Sequence, residues 1–155
     1  MRCSPPAKAS VVLNARVWVS GTTYPEPLSN YDRSIEIYSP GYLFEGTRPT
    51  IIKAPDNVLY GSQFSIQTDI PIAHIRLIRL GVTTHATDMD QRSVGLAFTS
   101  GPLNGAYPWD VTAPADEDIA PPGWYMLFVL RAKSDSSSGE TMIPSVAWIV
   151  KLART

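Results

Sequence analysis

Apolar residues along this chain recur at every second position or run unbroken, and nowhere with the three-to-four-residue spacing of an amphipathic helix. Ser10–Val19 (SVVLNARVWV) predicts a tight hairpin with Leu13-Asn14-Ala15-Arg16 as its turn, and Ser20–Asn30 reads as a loop rich in Gly, Thr and Pro. Ser34–Tyr38 alternates, which predicts a strand with Ile35 and Ile37 inward. The pattern then breaks from Pro40 and Gly41 up to Pro49, and a domain boundary is placed there, dividing the chain into 1–46 and 47–155.

Beyond Pro49 short strands follow one another. Thr50–Lys53 is one, and Phe64–Thr68 alternates with Phe64, Ile66 and Thr68 on one face. His74–Leu80 (HIRLIRL) switches phase between Leu77 and Ile78, which predicts a bulge or an edge strand. Ser93–Phe98 alternates with Val94, Leu96 and Phe98 inward, and Tyr107–Val111 is a further short strand. Gly123–Ala132 (GWYMLFVLRA) is almost wholly apolar, as a central strand covered on both faces would be. Ser134–Gly139 (SDSSSG) reads as an exposed hairpin tip, and Ser145–Leu152 closes the series. Seven strands in about a hundred residues, separated by turn signals, predict an all-β, immunoglobulin-like β-sandwich. The three segments before Tyr38 fall outside it and look like most of a four-stranded propeller blade.

Composition agrees with that class. The 14 prolines and 10 glycines are scattered through the chain, and proline interrupts helices and central strands alike. A net charge of −1 without a basic stripe excludes nucleic-acid binding, which rests on phosphate neutralisation. No apolar run approaches the ~18 residues of a membrane span. The start, Met1-Arg2-Cys3-Ser4-Pro5-Pro6, lacks the apolar middle of a signal peptide, and the single cysteine, Cys3, excludes an internal disulfide.

Candidate chemistry is sparse. Of the two histidines, His74 begins an apolar strand and reads as structural; His85 ends a strand within Leu80-Gly81-Val82-Thr83-Thr84-His85 and reads, on spacing alone, as a surface residue. A lone histidine makes no metal site, because zinc and copper take three or four protein ligands. Asp88-Met89-Asp90 fails as a calcium loop, since the sixth and twelfth positions are Ser93 and Thr99 instead of Gly and Glu. Asp116-Glu117-Asp118 reads as a solvated loop tip. There is no Gly-x-Ser-x-Gly elbow and no glycine-rich phosphate loop. Arg92 is expected to pin its loop by pairing with Asp88, Asp90 or backbone carbonyls. Trp124 and Trp148 read as core, whereas Tyr107 and Trp109, in Ala106-Tyr107-Pro108-Trp109-Asp110, are the candidates for an exposed surface that stacks on carbohydrate.

Five segments in order carry a family likeness. They are Tyr38-Ser39-Pro40-Gly41-Tyr42-Leu43-Phe44 leading to Arg48-Pro49-Thr50-Ile51; Tyr60-Gly61 followed by Phe64; Leu77–Phe98 (LIRLGVTTHATDMDQRSVGLAF); Ala120-Pro121-Pro122-Gly123-Trp124-Tyr125-Met126-Leu127-Phe128; and Ile143-Pro144-Ser145-Val146-Ala147. Together they resemble the C-terminal early set domain of the galactose oxidase and glyoxal oxidase family. Val11–Gly21 resembles that family's last kelch-type blade, with Asn14-Ala15 where an Asp-Gly turn is usual.

The resemblance implies a copper radical oxidase that converts primary alcohols or aldehydes and reduces oxygen to hydrogen peroxide, in a family that is mostly extracellular. It implies that the early set domain sends one loop into a propeller and supplies one copper-ligand histidine. By position that residue is His85, supported by Thr84, Asp90, Gln91 and Arg92. The family's Tyr-His pair would fall near Pro5–Ala9 and is not there, and the blades that carry its cross-linked Cys-Tyr cofactor are absent. The expectation is therefore that this chain holds no catalytic residue and neither binds copper nor turns over alone. A propeller, on the same or another chain, is its expected partner, with homodimers through exposed strand edges as a further expectation. The alternative reading is a free-standing immunoglobulin-like module that binds glycan or protein.

Overall fold

A computed structural model describes residues 8–20, 35–84, 87–101, 106–135 and 139–154. Strands β1 (Lys8–Val11) and β2 (Val17–Ser20) form the expected hairpin, and β3 (Ile35–Tyr38) pairs with β2 to complete a three-stranded antiparallel sheet. The hairpin closes at Ala15, which holds a left-handed φ of 62°. Asn14 makes that turn workable, because its Oδ1 accepts the Arg16 amide at 3.2 Å. A 3-10 turn at Gly41–Phe44 then leads into the sandwich.

The sandwich has two sheets. One, in the order β11-β12-β6-β4, uses β4 (Ile51–Lys53), β6 (Gln63–Thr68), β11 (Phe98–Ser100) and β12 (Tyr107–Thr112). The other, in the order β10-β7-β13-β15-β5, uses β5 (Asn57–Leu59), β7 (His74–Arg79), β10 (Ser93–Leu96), β13 (Gly123–Asp135) and β15 (Trp148–Ala153). Strand β14 (Gly139–Pro144) pairs with the second half of β13. A two-residue hairpin, β8 (Thr83–Thr84) and β9 (Thr87–Asp88), projects between β7 and β10.

The apolar run of β13 is explained by cover on both faces. Tyr125, Leu127 and Val129 point into the space between the sheets, with Ile66, Ile75, Leu77 and Val111. Met126 and Phe128 point the other way, where Ala15, Tyr42 and Leu43 pack over them. Alternate side chains of one strand thus enter two different cores.

The same two-sided cover corrects the reading of His74–Leu80. Strand β7 is interior, paired to β10 on one side and β13 on the other in continuous register. Its phase changes because Ile75 and Leu77 serve the inner core while Ile78 packs into the second cluster. Ser93–Phe98 is also two strands, β10 and β11, which lie in opposite sheets. Among the described residues, β5, β14 and the two-residue strands β8 and β9 escaped the hydrophobic pattern; the tip between β13 and β14, residues 136–138, lies outside the described residues, as do 21–34. Ile35 and Ile37, expected inward, are 57% and 61% exposed, because β3 is an outer strand and none of the described residues packs over that face. Trp124, expected in the core, is half exposed beyond the edge of the second cluster, with the Lys151 ammonium 6.0 Å from its ring centroid.

The hairpin turn is fastened to the sandwich. The Arg48 guanidinium donates to the carbonyls of Pro144 at 2.8 Å, Asn14 at 3.1 Å and Ser145 at 2.7 Å. The Ala147 amide donates to Leu13 O at 2.7 Å, and the Tyr42 hydroxyl donates to Ala15 O at 2.9 Å. Burial lowers the Arg48 pKa and raises that of Tyr42. No helix among the described residues is long and apolar enough to cross a membrane.

Candidate functional site

The segment singled out by sequence leaves β7 at Arg79, forms the β8–β9 hairpin and returns to β10 at Ser93. Thr83 pairs with Asp88 and Thr84 with Thr87. The expected copper ligand His85 lies outside the described residues, together with Ala86. What the structure describes is the base on which that segment stands. Strand β1 runs beside β8, which brings the three-stranded sheet to the flank of the hairpin.

Asp88 closes the hairpin. Its Oδ1 accepts the amides of Val82 at 3.0 Å and Asp90 at 3.1 Å, while the Met89 amide donates to Val82 O at 3.1 Å. An acceptor-only carboxylate can bind two converging amides at once, which explains an aspartate at this turn. Asp90 turns away from it and forms an ion pair with Arg79. Arg92 donates to the carbonyls of Asp118 and Ile119, both at 2.9 Å. The backbone-carbonyl option for Arg92 is thus the one observed, and the partner of Asp90 is a residue that sequence spacing did not single out. Gln91 is exposed. A small hollow of about 110 Å³ under the segment is lined by Ile78, Arg79, Asp88, Gln91, Arg92 and Met126, among others.

Arg79 occupies the centre of this base. Its Nη1 donates to Pro121 O at 2.8 Å and contacts the Tyr125 hydroxyl at 3.2 Å, and its guanidinium lies 5.5 Å from the Tyr125 ring centroid. Tyr125 donates to the same Pro121 carbonyl at 2.6 Å. Burial would lower the Arg79 pKa, but the hydrogen bonds to Tyr125 and Asp90 outweigh it and leave the value raised.

The remaining candidates do not join this region. His74 is exposed at the start of β7. Asp116 accepts the amides of Asp118 and Ile119, both at 3.1 Å, as a loop-capping residue does. Trp109 is a correction: it is 8% exposed, and its indole N–H donates to Thr68 Oγ1 at 2.9 Å. Positions 107, 109 and 111 share one strand face, and the fully buried Val111 makes that face the inner one. Tyr107 stacks on Trp109 at 6.5 Å, half-buried, so the pair forms no exposed stacking platform. Among the described residues, no three His, Cys, Asp or Glu side chains converge on a point that would hold a metal ion. The described His, Cys, Asp and Glu side chains therefore do not make a complete copper site by themselves.

The family model for the galactose oxidase-like early set domain matches residues 48–151. The chain belongs to that family. Early set relatives extend the match. The galactose oxidase of Gibberella zeae is 34% identical over 125 residues, covering 77% of this chain and 17% of that protein. A WSC domain-containing protein of Arthroderma benhamiae is 31% identical over 94% of this chain and 15% of its own length. An aldehyde oxidase of Vitis pseudoreticulata is 33% identical over 76% of this chain and 23% of its own length. Among solved structures, a fungal alcohol oxidase of the AA5 family in complex with copper superposes with a TM-score of 0.79 at 28% identity, covering 95% of this chain and 30% of that one. The likeness to that oxidase reaches beyond the family match into the N-terminal strands. The chain spans less than a quarter of the length of these curated relatives.

Proposed function

We propose that this chain is the C-terminal accessory portion of a copper-dependent oxidase, in which the early set sandwich steadies a propeller and presents His85 as one copper ligand. The observation that carries the reading is the family match over residues 48–151 in a chain that corresponds to only 17% of a galactose oxidase. Two features of the molecule support it. His85 falls between two paired strands whose base is tied by Asp88, Arg79 and Arg92, and imidazole suits copper. The three-stranded sheet also presents Trp18, Ile35 and Ile37 on one bare face, as a blade without its neighbours would.

The chemistry belongs to the whole protein. A primary alcohol or aldehyde gives up two electrons and two protons (the aldehyde as its hydrate), and dioxygen takes them to become hydrogen peroxide. Copper would supply the redox chemistry when bound, with His85 as this chain's ligand to it. The described residues of this chain supply no acid, base or nucleophile to it. Their part is to hold the hairpin against the sandwich and to offer the propeller an apolar face.

The test is copper content and the Cu(II) electron paramagnetic resonance spectrum of the full natural protein, wild type and His85→Ala. The variant is expected to lose at least about tenfold in copper affinity, the scale on which loss of a metal-site partner acts. Equal copper uptake with an unchanged spectrum would remove His85 from the site, and a wild-type protein that takes up no copper would leave the free-standing binding module as the better account.

A further inference from the structure

The β8–β9 hairpin pairs through two residues on each strand, far too few to hold its own position in water. Something else must set where it points. Arg79 is the last residue of β7 and Asp90 lies just before β10, so their ion pair bridges the two feet of the excursion from Leu80 to Met89. The same guanidinium reaches past the feet to Pro121 O and the Tyr125 hydroxyl, and Tyr125 is fully buried in the sandwich core. One side chain thus links the feet of the hairpin to the sandwich core. Arg92 repeats the link one turn on, through the Asp118 and Ile119 carbonyls.

The geometry demands arginine. The acceptors around Arg79 lie in several directions, met by Nε on one side and Nη1 on another, whereas a lysine ammonium is a single point. Gly123 lies beside the fork at a φ of 142°, which disfavours other residues, although a Cβ there would meet Arg79 Nη2 at an ordinary contact distance of 3.5 Å.

We propose that Arg79 is a positioning residue: with Asp90 it locks the β8–β9 hairpin to the Pro121–Tyr125 turn, so that the sandwich sets the hairpin's direction before any propeller meets it. The consequence for copper rests on the function proposed above; the brace itself does not.

The experiment compares the full natural protein with Asp90→Asn and Arg79→Lys, by site-resolved amide hydrogen exchange and by copper affinity. Both variants should raise exchange at residues 82–92 by about tenfold or more while β13 and β15 amides keep wild-type rates, as loss of a charge-assisted tie implies. Copper affinity should fall about tenfold in step. Unchanged exchange at 82–92 in both variants would overturn the proposal. So would an equal rise in β15, which would make the pair a general strut. Should the wild-type protein take up no copper, the function proposed above fails, and the exchange rates alone still decide the brace.

Discussion

The six-stranded sheet and the β1–β3 sheet are built from the same kind of short, alternating apolar strand, yet Tyr125, Leu127 and Val129 are 0% exposed while Ile35 and Ile37 are 57% and 61% exposed. The first sheet is covered on both faces, by the other sandwich sheet and by the hairpin turn with Tyr42 and Leu43. The second gives its turn to that cover and keeps one face bare of the described residues. Alternation therefore marks a strand and its two faces, but says nothing of whether a partner reaches the apolar one. In the function proposed above, this face is the one a propeller would cover.

The comparison breaks most visibly in the cores. Leu127→Ala is expected to cost about 3 kcal/mol, since it opens a cavity at a fully buried site, whereas Ile37→Ala should cost less than about 0.5 kcal/mol. Urea midpoints of the two variants measure this, and similar losses would mean that the β1–β3 face is covered in solution. Arg48→Ala comes next. It leaves three carbonyls without their charged donor, and about 2 kcal/mol should be lost, with fast exchange at β1 and β2 amides while β13 amides follow only the global change. Uniform behaviour of both sheets would show that the hairpin is held by Met126 and Phe128 contacts alone.

The bare face should drive self-association of the isolated chain. Trp18→Ser with Ile37→Ser, which sit opposite each other across β2 and β3, is expected to shift sedimentation toward monomer with little change in melting temperature. A wild-type chain that is already monomeric at high concentration would contradict this. The smallest effect is at the turn. In Ala15→Gly, relief of the left-handed φ, worth about 1 kcal/mol, opposes loss of a buried methyl worth about 0.8 kcal/mol. Thermal denaturation should shift by no more than a degree or two, and a large loss would show that packing dominates at that position.

Much of this was legible beforehand. The hairpin around Asn14-Ala15, the strands of the sandwich and the ordered motifs from Tyr38 to Ala147 follow from local pattern, and the family follows from the motifs. Strands β5 and β14 carry little alternation and β8 and β9 are only two residues long, so pairing with β15, with β13 and with each other creates them. At the site, Thr84, Asp90, Gln91 and Arg92 were named because they surround His85 in the chain. Arg79, which ties that segment down, lies 11 positions before Asp90 and 46 before Tyr125, and no short-range spacing points to it.

The amino-acid pattern settles what is local here: period-two alternation makes strands, Pro and Gly end them, and an Asn before a left-handed residue closes the first turn. It does not settle which faces are wet. By sequence Trp109 reads as exposed and Trp124 as core, but the first meets Thr68 across the sheet and the second meets solvent. Arg79 and Asp90 are likewise ordinary charged residues until the turn at Pro121 and the core tyrosine come to them. Burial and pairing depend on what the rest of the chain brings within a few ångströms. That information exists only once the strands have been laid side by side.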